Sequence, residues 1–467
     1  MGSLILENAV NRMRFECTGR RPVHFFQKLA GSAAALMLVA AAPAGAAAPQ
    51  PVAAQKPPAS SQSVEDFYRG RNGYPLWLSP NAGFSAQQLI GLLSTSSLDG
   101  LYPDKYHVAD LQQALDAARK GKKKDIDRAE RALSDAFVAY VSDLMRDPNT
   151  GVTYVDAALR PKPPSPLGAL LNAASAPSLS EYIRTMGWMH PYYTELRQAL
   201  GSHSYADEHQ RQLLSLNLER AKTLPGGKQR YVVVNAAQQR LYMFEGRKVV
   251  DSMVVVVGKP KYPTPMMTAY IRFASLNPYW FVPPDLAAER IAPNVLKRGM
   301  RYLDELGYQV MSDWNDNPEI LDPKTIDWKA VADGKIEVRM RQLPGAHNSM
   351  GRMKFMFPNE AGIYLHDNPE RELFTEASRL YSGGCVRLED AARLGRWLFG
   401  HDLDWEGAGT EQREMLQTLV PVYITYLTAL PDGSSIAYYD DVYGRDAARL
   451  AATSNSQPIA LGAVSGR

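Results

Sequence analysis

Residues 230–258 read RYVVVNAAQQRLYMFEGRKVVDSMVVVVG, and their pattern indicates that the second half of the chain is rich in β-strands. Its β-branched and aromatic runs are separated by turn-forming segments, which is typical of short antiparallel strands. We predict a meander of YVVVN, RLYMFE and KVVDSMVVVV, continued by TAYIRFA at 268–274. Strand-like sequence returns at GIYLHD (362–367) and VPVYITYLTAL (420–430), so residues 227–446 are predicted to form one β-rich domain.

Before Pro225-Gly226-Gly227, the apolar residues recur with the spacing of an α-helix. Apolar residues recur at intervals of three and four in DLQQALDAARK and RAERALSDAFVAYVSDLMRD. SVEDFYRGRN has the composition of a helix start, with a serine cap and a glutamate near the third helical position. We therefore predict a helical scaffold domain over residues 62–226, which makes the fold class α+β.

The N-terminus has the order of a secretory signal peptide. Two arginines and a lysine precede an apolar run from Leu29 to Ala42, and small residues follow. We predict a signal peptide over residues 1–47 and a periplasmic protein, with an uncleaved anchor in the inner membrane as the alternative. The Pro- and Ala-rich residues 48–61 are predicted to be a flexible linker, and residues 447–467 a loose C-terminal tail.

Composition and charge exclude several function classes. The formal net charge of +3 is too small to indicate a nucleic-acid partner, and the basic run Lys120–Lys124 is interpreted as a solvated helix face. We find no P-loop, dinucleotide fingerprint, HExxH or paired-cysteine motif. No cofactor and no metal site are therefore expected.

The cysteines direct attention to one position. The chain has two, and Cys17 falls within the predicted signal peptide, so the exported protein would carry only Cys385. An unpaired thiol is a hazard in an oxidising compartment unless the protein uses it. A buried structural thiol is the alternative, since free cysteine is commonly a core residue.

The residues around Cys385 suit a nucleophile. Gly383 and Gly384 allow backbone torsions closed to other residues, and we expect the N–H groups of Gly384 and Cys385 to stabilise an oxyanion. A helix predicted to start at Glu389-Asp390 would favour a thiolate through its positive N-terminal end.

A cysteine nucleophile also needs a base. His366 follows the short strand GIYL and lies 385 − 366 = 19 residues before the cysteine, a spacing that lets both return to one sheet edge. His347 in a loop and His401 after a helix are weaker candidates. The alternative is that His366 is an ordinary hydrogen-bonded histidine at the end of a strand.

Two motifs resemble a known family. HDN at 366–368 and SGGCVRL at 382–388 are similar to the catalytic signature of the YkuD-type L,D-transpeptidases. Further stretches resemble the large Gram-negative subgroup of that family, namely NLER, NPYWFVPP, RQLPGAHNSMGRMKFMFPN and IYLHDNPERELF. Many members have histidine where this chain has Gly383. The connection between HPYYTELRQAL and RQLLSLNLER is too short for the peptidoglycan-binding module that larger members carry.

The resemblance implies a β-rich catalytic domain with a mobile cap subdomain, which we place at about residues 281–337. KIEVRMRQLP then resumes the strands of the catalytic domain. Five aromatic residues in or beside the cap either cover a bound peptide or form a small satellite core: Tyr279, Trp280, Tyr302, Trp314 and Trp328.

The resemblance also implies a reaction on peptidoglycan stem peptides. His366 would either take the thiol proton as base or already hold Cys385 as a thiolate in an ion pair. Cys385 would attack the carbonyl of the third residue, a diaminopimelate, and release the terminal D-alanine. A second stem would accept the acyl group in a 3→3 cross-link, and carbapenems would acylate the same thiol. The site would be shaped by Tyr364, Asp367, Ser382, Gly383 and Arg387, with the Asp367 carbonyl or a neighbouring one fixing the imidazole tautomer. Arg387 would hold a substrate carboxylate or form a structural ion pair, and Tyr364 would line the pocket or simply pack. A stem-trimming hydrolase and a non-catalytic wall-binding protein are the alternatives.

Overall fold

The computed structural model describes residues 63–315 and 317–454. The predicted signal peptide, the linker and Cys17 lie outside these residues. The N-terminal half is helical, with α1 (Val64–Gly70), α2 (Ser85–Ser94), α3 (Val108–Ala118), α4 (Lys123–Leu144), α5 (Pro166–Ala174), α6 (Leu179–Arg184), α7 (Pro191–Gly201) and α8 (Glu208–Ala221). Short 3₁₀ turns occur at Ser96–Asp99, Pro103–Tyr106 and Ala157–Leu159.

The helical half is built around the long helix α4. Leu133, Phe137, Tyr140 and Leu144 recur on one side of α4 and are fully buried. The other helices pack against this stripe in one apolar core. The basic run that precedes and begins α4 is exposed, which confirms its interpretation as a solvated face.

Two details of the helical half refine the predictions. Ser63 caps α1 as expected, but the reciprocal partner in its capping box is Asp66 rather than the neighbouring glutamate, because Asp66 is the third helical residue. Residues 202–207 connect α7 directly to α8, which leaves no room for an inserted module.

The strands of the C-terminal half, together with the short strand β1 (Thr153–Tyr154) from the N-terminal half, form a barrel-like sheet of order β1-β5-β10-β11-β13-β4-β3-β2-β14. Strand β14 also pairs with β5 and so closes the sheet on itself. The predicted meander is present as three antiparallel neighbours, β2, β3 and β4. The strands of this sheet are β1 (Thr153–Tyr154), β2 (Arg230–Asn235), β3 (Arg240–Glu245), β4 (Lys248–Gly258), β5 (Met267–Leu276), β10 (Met353–Met356), β11 (Leu365–His366), β12 (Leu380–Ser382), β13 (Val386–Leu388) and β14 (Gln412–Thr425).

A smaller four-stranded sheet of order β6-β9-β7-β8 forms the cap. Its strands are β6 (Trp280–Val282), β7 (Tyr308–Met311), β8 (Ile320–Leu321) and β9 (Arg339–Gln342). Its helical segments are α9 (Pro284–Leu286), a π turn (Ala287–Ile291), α10 (Ala292–Arg298), α11 (Arg301–Leu306) and α12 (Trp328–Ala332).

The predicted end of the cap near residue 337 is wrong. Strand β9, which the sequence pattern assigned to the catalytic domain, pairs with β6 and β7 inside the cap sheet. Met340 of this strand and Met350 beyond it belong to the apolar core of the cap. The alternation of apolar and polar residues identifies a strand but not the strand with which it pairs. The sequence therefore could not show which sheet β9 joins.

The end of the chain also differs from expectation. After α13 (Ala391–Phe399), the hairpin β15 (Ala429–Asp432) and β16 (Ser435–Tyr438) leads to helix α14 (Arg445–Ser454). Asp446 of α14 is buried in an ion pair with Arg220 of α8. The described part of the predicted loose tail is therefore ordered, because a buried ion pair anchors it.

Within residues 63–315 and 317–454, no helix is both long enough and apolar enough to span a bilayer.

Candidate active site

Strands β11 and β13 place the two predicted catalytic residues on one face of the sheet. They pair in parallel, with Leu365 opposite Val386 and His366 opposite Arg387. Leu365 and Val386 are fully buried in the barrel core. Side chains alternate along a strand, so Cys385 and His366 lie on the opposite face as diagonal neighbours, with Cα atoms about 8 Å apart.

The His366 imidazole is buried and its tautomer is determined by a hydrogen bond. Its side chain is 2% exposed, and Nδ1 lies 2.6 Å from the carbonyl oxygen of Asp367. A carbonyl oxygen only accepts hydrogen bonds, so Nδ1 carries the proton. The lone pair is then on Nε2, the nitrogen that a general base needs for a thiol proton. The Asp367 carbonyl thus makes the contact expected of it.

Burial lowers the pKa of His366 to about 3, and the nearby Arg387 guanidinium adds to this effect. The imidazole is therefore neutral at neutral pH. The Cys385 thiol is half-buried, and its Sγ donates to the Gly362 carbonyl oxygen at 3.5 Å. A thiolate paired with imidazolium would require the protonated ring, which burial disfavours. The burial of the ring and the hydrogen bond from the thiol favour the other possibility, a neutral thiol and a neutral imidazole that takes its proton during the reaction.

Hydrogen bonds fix the loop before Cys385. One of them uses the Gly384 N–H, which was predicted to stabilise an oxyanion. Ser382 Oγ donates to the Cys385 carbonyl oxygen at 2.6 Å and accepts from the Gly384 N–H at 3.1 Å. Thr264 Oγ1 donates to the Gly384 carbonyl oxygen at 2.8 Å. Because the Gly384 N–H is already used within the loop, its assignment to an oxyanion hole is wrong for this conformation. The Cys385 N–H stays a prediction.

Only one of the two glycines uses the conformational freedom expected of both. Gly384 has φ of +119°, and a Cβ there would lie 3.3 Å from Ile363 Cδ1. Gly383 has no such torsion, and a Cβ there would make an ordinary contact of 3.5 Å with Leu286 Cδ1 of the cap. Position 383 therefore accepts a side chain, whereas position 384 requires glycine.

The predicted effect of a helix N-terminus on the thiol is not supported. Strand β13 separates Cys385 from α13 and carries the chain about 10 Å away before the helix begins. The helix start is capped by its own Asp390, whose carboxylate accepts from the Arg393 N–H. A helix dipole acts within about one turn, so it does not reach this thiol.

The cap contacts the site from both sides through consecutive residues of its π turn. Glu289 accepts from Tyr262 at 2.6 Å and pairs with Lys261, both in the loop after β4. Arg290 lies 3.8 Å from Glu370, whose carboxylate pairs with Arg387 at 2.7 Å. A π turn costs helical stability and is found mostly at functional positions.

Arg387 and Tyr364 both lie beside His366. Arg387 is held in the ion pair with Glu370, which was one of its two predicted roles. Tyr364 packs edge-on against His366 with ring centroids 5.7 Å apart, and it touches both the barrel core and the cap core. The Asp367 carboxylate faces away and binds the Arg352 N–H and the Arg371 guanidinium.

Three of the five aromatic residues in or beside the cap form part of a satellite core. Trp280, Tyr302 and Trp328 are each at most 5% exposed and belong to the cap core. Trp314 packs edge-on against Phe281, and Tyr279 lies under the Arg341 guanidinium. His347 and His401 are both exposed, in line with their lower rank as bases.

Sequence reasoning missed several residues of the site. Thr264 supports the cysteine loop from 120 positions away, and no local pattern signals that contact. Lys354 lies opposite His366 on β10 and pairs with Glu411, a placement that only the sheet register creates. Glu370 could have been identified from the sequence, since it is an acidic residue two positions after the HDN motif.

Known proteins resemble both halves of the chain. Residues 62–200 match the Scaffold domain family, and residues 229–410 match the L,D-transpeptidase catalytic domain family. The chain is 27% identical over 290 residues to a Haemophilus influenzae protein named "Putative L,D-transpeptidase". That alignment covers 59% of this chain and 57% of the relative, so the chain spans little more than half the relative's length.

Solved structures give weaker matches. An L,D-transpeptidase from Mycobacterium smegmatis is 14% identical over 42% of this chain and 58% of its own, with a TM-score of 0.19. An Enterococcus faecium L,D-transpeptidase mutant is 12% identical over 43% of this chain and 52% of its own, with a TM-score of 0.18. These TM-scores are too low to support any argument about the present chain.

Proposed function

Since the chain carries a scaffold domain followed by a YkuD-type catalytic domain of the L,D-transpeptidase family, we propose that it is a periplasmic peptidoglycan L,D-transpeptidase that forms 3→3 cross-links. The observation that carries the proposal is the imidazole of His366, whose Nδ1 is held by the Asp367 carbonyl on the same sheet face as Cys385. This arrangement suits proton transfer from a thiol to Nε2.

In the first step Cys385 attacks the carbonyl carbon of diaminopimelate in a tetrapeptide donor stem. His366 Nε2 takes the thiol proton as the C–S bond forms, and the Cys385 N–H stabilises the oxyanion. The C–N bond to the terminal D-alanine then breaks, and His366 returns the proton to the leaving amine. A neutral imidazole suits this step, because only the neutral form can accept the proton.

In the second step the side-chain amine of a second diaminopimelate attacks the thioester. His366 takes a proton from the attacking amine, the C–S bond breaks, and the sulfur is reprotonated. The cross-link replaces a thioester by an amide, so no energy source beyond the donor stem is required. The cap, which contacts the site through Glu289 and Arg290, would exclude the competing water.

Muropeptide analysis by mass spectrometry tests the proposal. We expect a 3→3 dimer in cells expressing the wild-type chain and none with Cys385→Ala or His366→Gln. A cysteine-dependent shortened monomer would instead indicate a stem-trimming hydrolase. An unchanged profile would indicate a non-catalytic wall-binding protein.

Two further proposals accompany the reaction. The Cys385 thiol would be acylated by carbapenems, which intact-mass spectrometry of the wild-type and Cys385→Ala chains would detect. The leader at residues 1–47 would deliver the protein to the periplasm. N-terminal sequencing of the protein from a periplasmic fraction tests that export, and retention in the cytoplasmic fraction would contradict it.

A further inference from the structure

The cysteine loop, residues 382–385, is held by contacts from outside it. Strand β12 pairs Ser382 with Gly258 at the end of β4. Thr264, in the loop after β4, donates to the Gly384 carbonyl oxygen at 2.8 Å and accepts from the Gly258 N–H at 2.9 Å. Gly258 and Thr264 are therefore two supports on which the position of the cysteine loop depends.

Both supports are held in turn by the segment that leads into α14. Tyr443 Oη donates to the Gly258 carbonyl oxygen at 2.6 Å, and the Thr264 N–H donates to the same Oη at 3.5 Å. Arg445 Nη2, at the start of α14, donates to the Thr264 carbonyl oxygen at 2.8 Å. Thr264 is buried, so water does not replace a hydrogen bond that it loses.

The side chains of Tyr443 and Arg445 are themselves fixed. Tyr443 stacks on Tyr426 with ring centroids 5.4 Å apart, and its N–H donates to Tyr426 Oη at 3.0 Å. The Arg445 guanidinium lies 4.9 Å from the centroid of each of these rings. The Asp441 carboxylate accepts from the N–H groups of Arg445 and Asp446 at 2.8 and 2.9 Å and so caps α14. These contacts keep both donors directed at the two supports.

The same segment is anchored to the scaffold. Arg220 of α8 donates to the Tyr426 carbonyl oxygen at 3.0 Å and forms an ion pair with Asp446. Asp446 also accepts from Thr428 Oγ1. Asn217 of α8 donates to Thr428 Oγ1 and accepts from the Thr428 N–H, both at 2.9 Å. All five residues are buried, so a continuous series of buried contacts runs from α8 to the cysteine loop.

We propose that Tyr443 and Arg445 are positioning residues for Cys385, and that the scaffold domain supports the reaction because α8 holds them in place. The scaffold then acts on the chemistry itself, apart from any contact with the cell wall. The cysteine loop sets where the Sγ and the Cys385 N–H lie, and a displacement of about 1 Å costs roughly 100-fold in rate. The inference rests on the proposed function for its kinetic test but not for its structural one.

Conservative variants remove single contacts of the series. Tyr443→Phe deletes the hydroxyl that holds both supports and keeps the ring that stacks on Tyr426. Tyr439→Phe is its matched control, because that hydroxyl accepts from Gln238 Nε2 at 2.7 Å instead. Thr428→Val keeps the shape of the side chain and deletes the hydroxyl that joins α8 to α14.

Amide hydrogen exchange of the full chain reports on the cysteine loop directly, by mass spectrometry of peptides that span residues 382–385. We expect the Gly384 N–H to exchange at least about tenfold faster in Tyr443→Phe and in Arg445→Gln than in the wild type. Tyr439→Phe should exchange like the wild type. Wild-type exchange in both test variants would overturn the inference.

Carbapenem acylation of Cys385, followed by intact mass, reports on the chemistry. The maximal rate should fall about tenfold in Tyr443→Phe and up to about 100-fold in Arg445→Gln, while the carbapenem concentration at half-saturation stays within about twofold. A folding defect would instead lower the fraction of the chain that is acylated and leave the rate of the remaining fraction unchanged.

The scaffold link has its own test. Thr428→Val should slow acylation less than Tyr443→Phe does, and the double variant should lose less than the product of the two single losses, because both act through one series of contacts. Independent losses, multiplying in full, would contradict the role assigned to α8.

Failure of the inference and failure of the proposed function give different results. An unchanged maximal rate in Tyr443→Phe and Arg445→Gln would overturn the inference even if exchange increased. A wild-type chain that carbapenems do not acylate would count against the proposed function. The exchange data would then still decide whether Tyr443 and Arg445 hold the cysteine loop.

Discussion

Among the residues that the structure describes, two histidines are buried in very similar electrostatic surroundings, one in each half. His190 lies where the scaffold meets the barrel, with its ring 5.9 Å from that of Tyr231 and 5.1 Å from that of Phe244. His366 lies on the barrel face beside Cys385. Burial lowers the pKa of both to about 3, and in each case a nearby arginine is the second cause.

The two rings differ in their tautomer. His190 Nδ1 accepts from the Tyr192 N–H at 3.1 Å, so the proton of its neutral ring is on Nε2. Within the described residues that Nε2 has no hydrogen-bond partner. His366 Nδ1 donates to a carbonyl, so its Nε2 holds a lone pair. Burial and a lowered pKa are therefore insufficient to identify a catalytic base; the tautomer and the neighbouring thiol distinguish the two.

The largest predicted effect comes from replacing each of the two histidines in turn. We expect His366→Gln to slow carbapenem acylation of Cys385 by about 10²- to 10⁴-fold, because the general base is lost. His190→Gln should leave that rate unchanged, because the His190 ring lies where the scaffold meets the barrel and not beside the thiol. Stopped-flow kinetics with intact-mass detection measures both, and equal losses in the two variants would contradict the assignment of His366.

The second prediction concerns stability and pH. Unfolded histidine takes up a proton below about pH 6.5, whereas the folded rings resist it down to about pH 3. Protonation thus favours the unfolded chain, and stability falls as pH decreases through this window. Each histidine should remove about 2 kcal/mol from the free energy of unfolding between pH 7 and pH 5.

Urea denaturation at pH 7 and pH 5 measures this loss in the wild type. His190→Gln and His366→Gln should each reduce it by about 2 kcal/mol, since glutamine does not titrate. A variant that keeps the full wild-type loss would show that its histidine is not held neutral in the folded protein.

A smaller effect is expected from the arginine beside each ring. Arg387→Gln removes a cation that opposes imidazolium, so the pKa of His366 should rise by up to about one unit. The acid limb of the acylation rate should then move to higher pH. Arg247→Gln should raise the pKa of His190 in the same way but leave the acylation profile where it is.

The smallest predicted difference is that between the tautomers of the two rings, and it can be measured in the wild-type protein. Long-range ¹H–¹⁵N NMR at neutral pH should show two neutral rings with opposite tautomers, Nδ1–H for His366 and Nε2–H for His190. Two rings with the same tautomer would contradict the hydrogen bonds from which the contrast is derived.

Much of the site was predictable because its residues are local in sequence. The period-two pattern of GIYLHD indicates that His366 faces away from the core, and the glycines before Cys385 indicate a tight loop. The remaining features depend on contacts between distant segments. The Gly384 N–H was predicted to serve the substrate, yet it bonds to Ser382, because local sequence cannot reveal how a loop satisfies its own backbone.

The cap shows the same limit at the level of whole strands. The interruption of the strand pattern in the sequence predicts that a cap exists. The position where the cap ends depends on β9 pairing with β6 and β7 rather than with strands of the barrel. Strand propensity is a property of one segment, whereas pairing is decided by which sheet buries that segment's apolar side.

The division into a helical and a β-rich half, the single thiol among the described residues and the choice of His366 follow from the amino-acid sequence alone, because hydrophobic period and residue type are local properties. So does the carbonyl that fixes the tautomer of that imidazole, since it belongs to the next residue, Asp367. The neutral charge of the ring and the closure of the sheet through β14 required the folded structure, because burial and strand pairing bring together residues far apart in the chain, which no local pattern encodes.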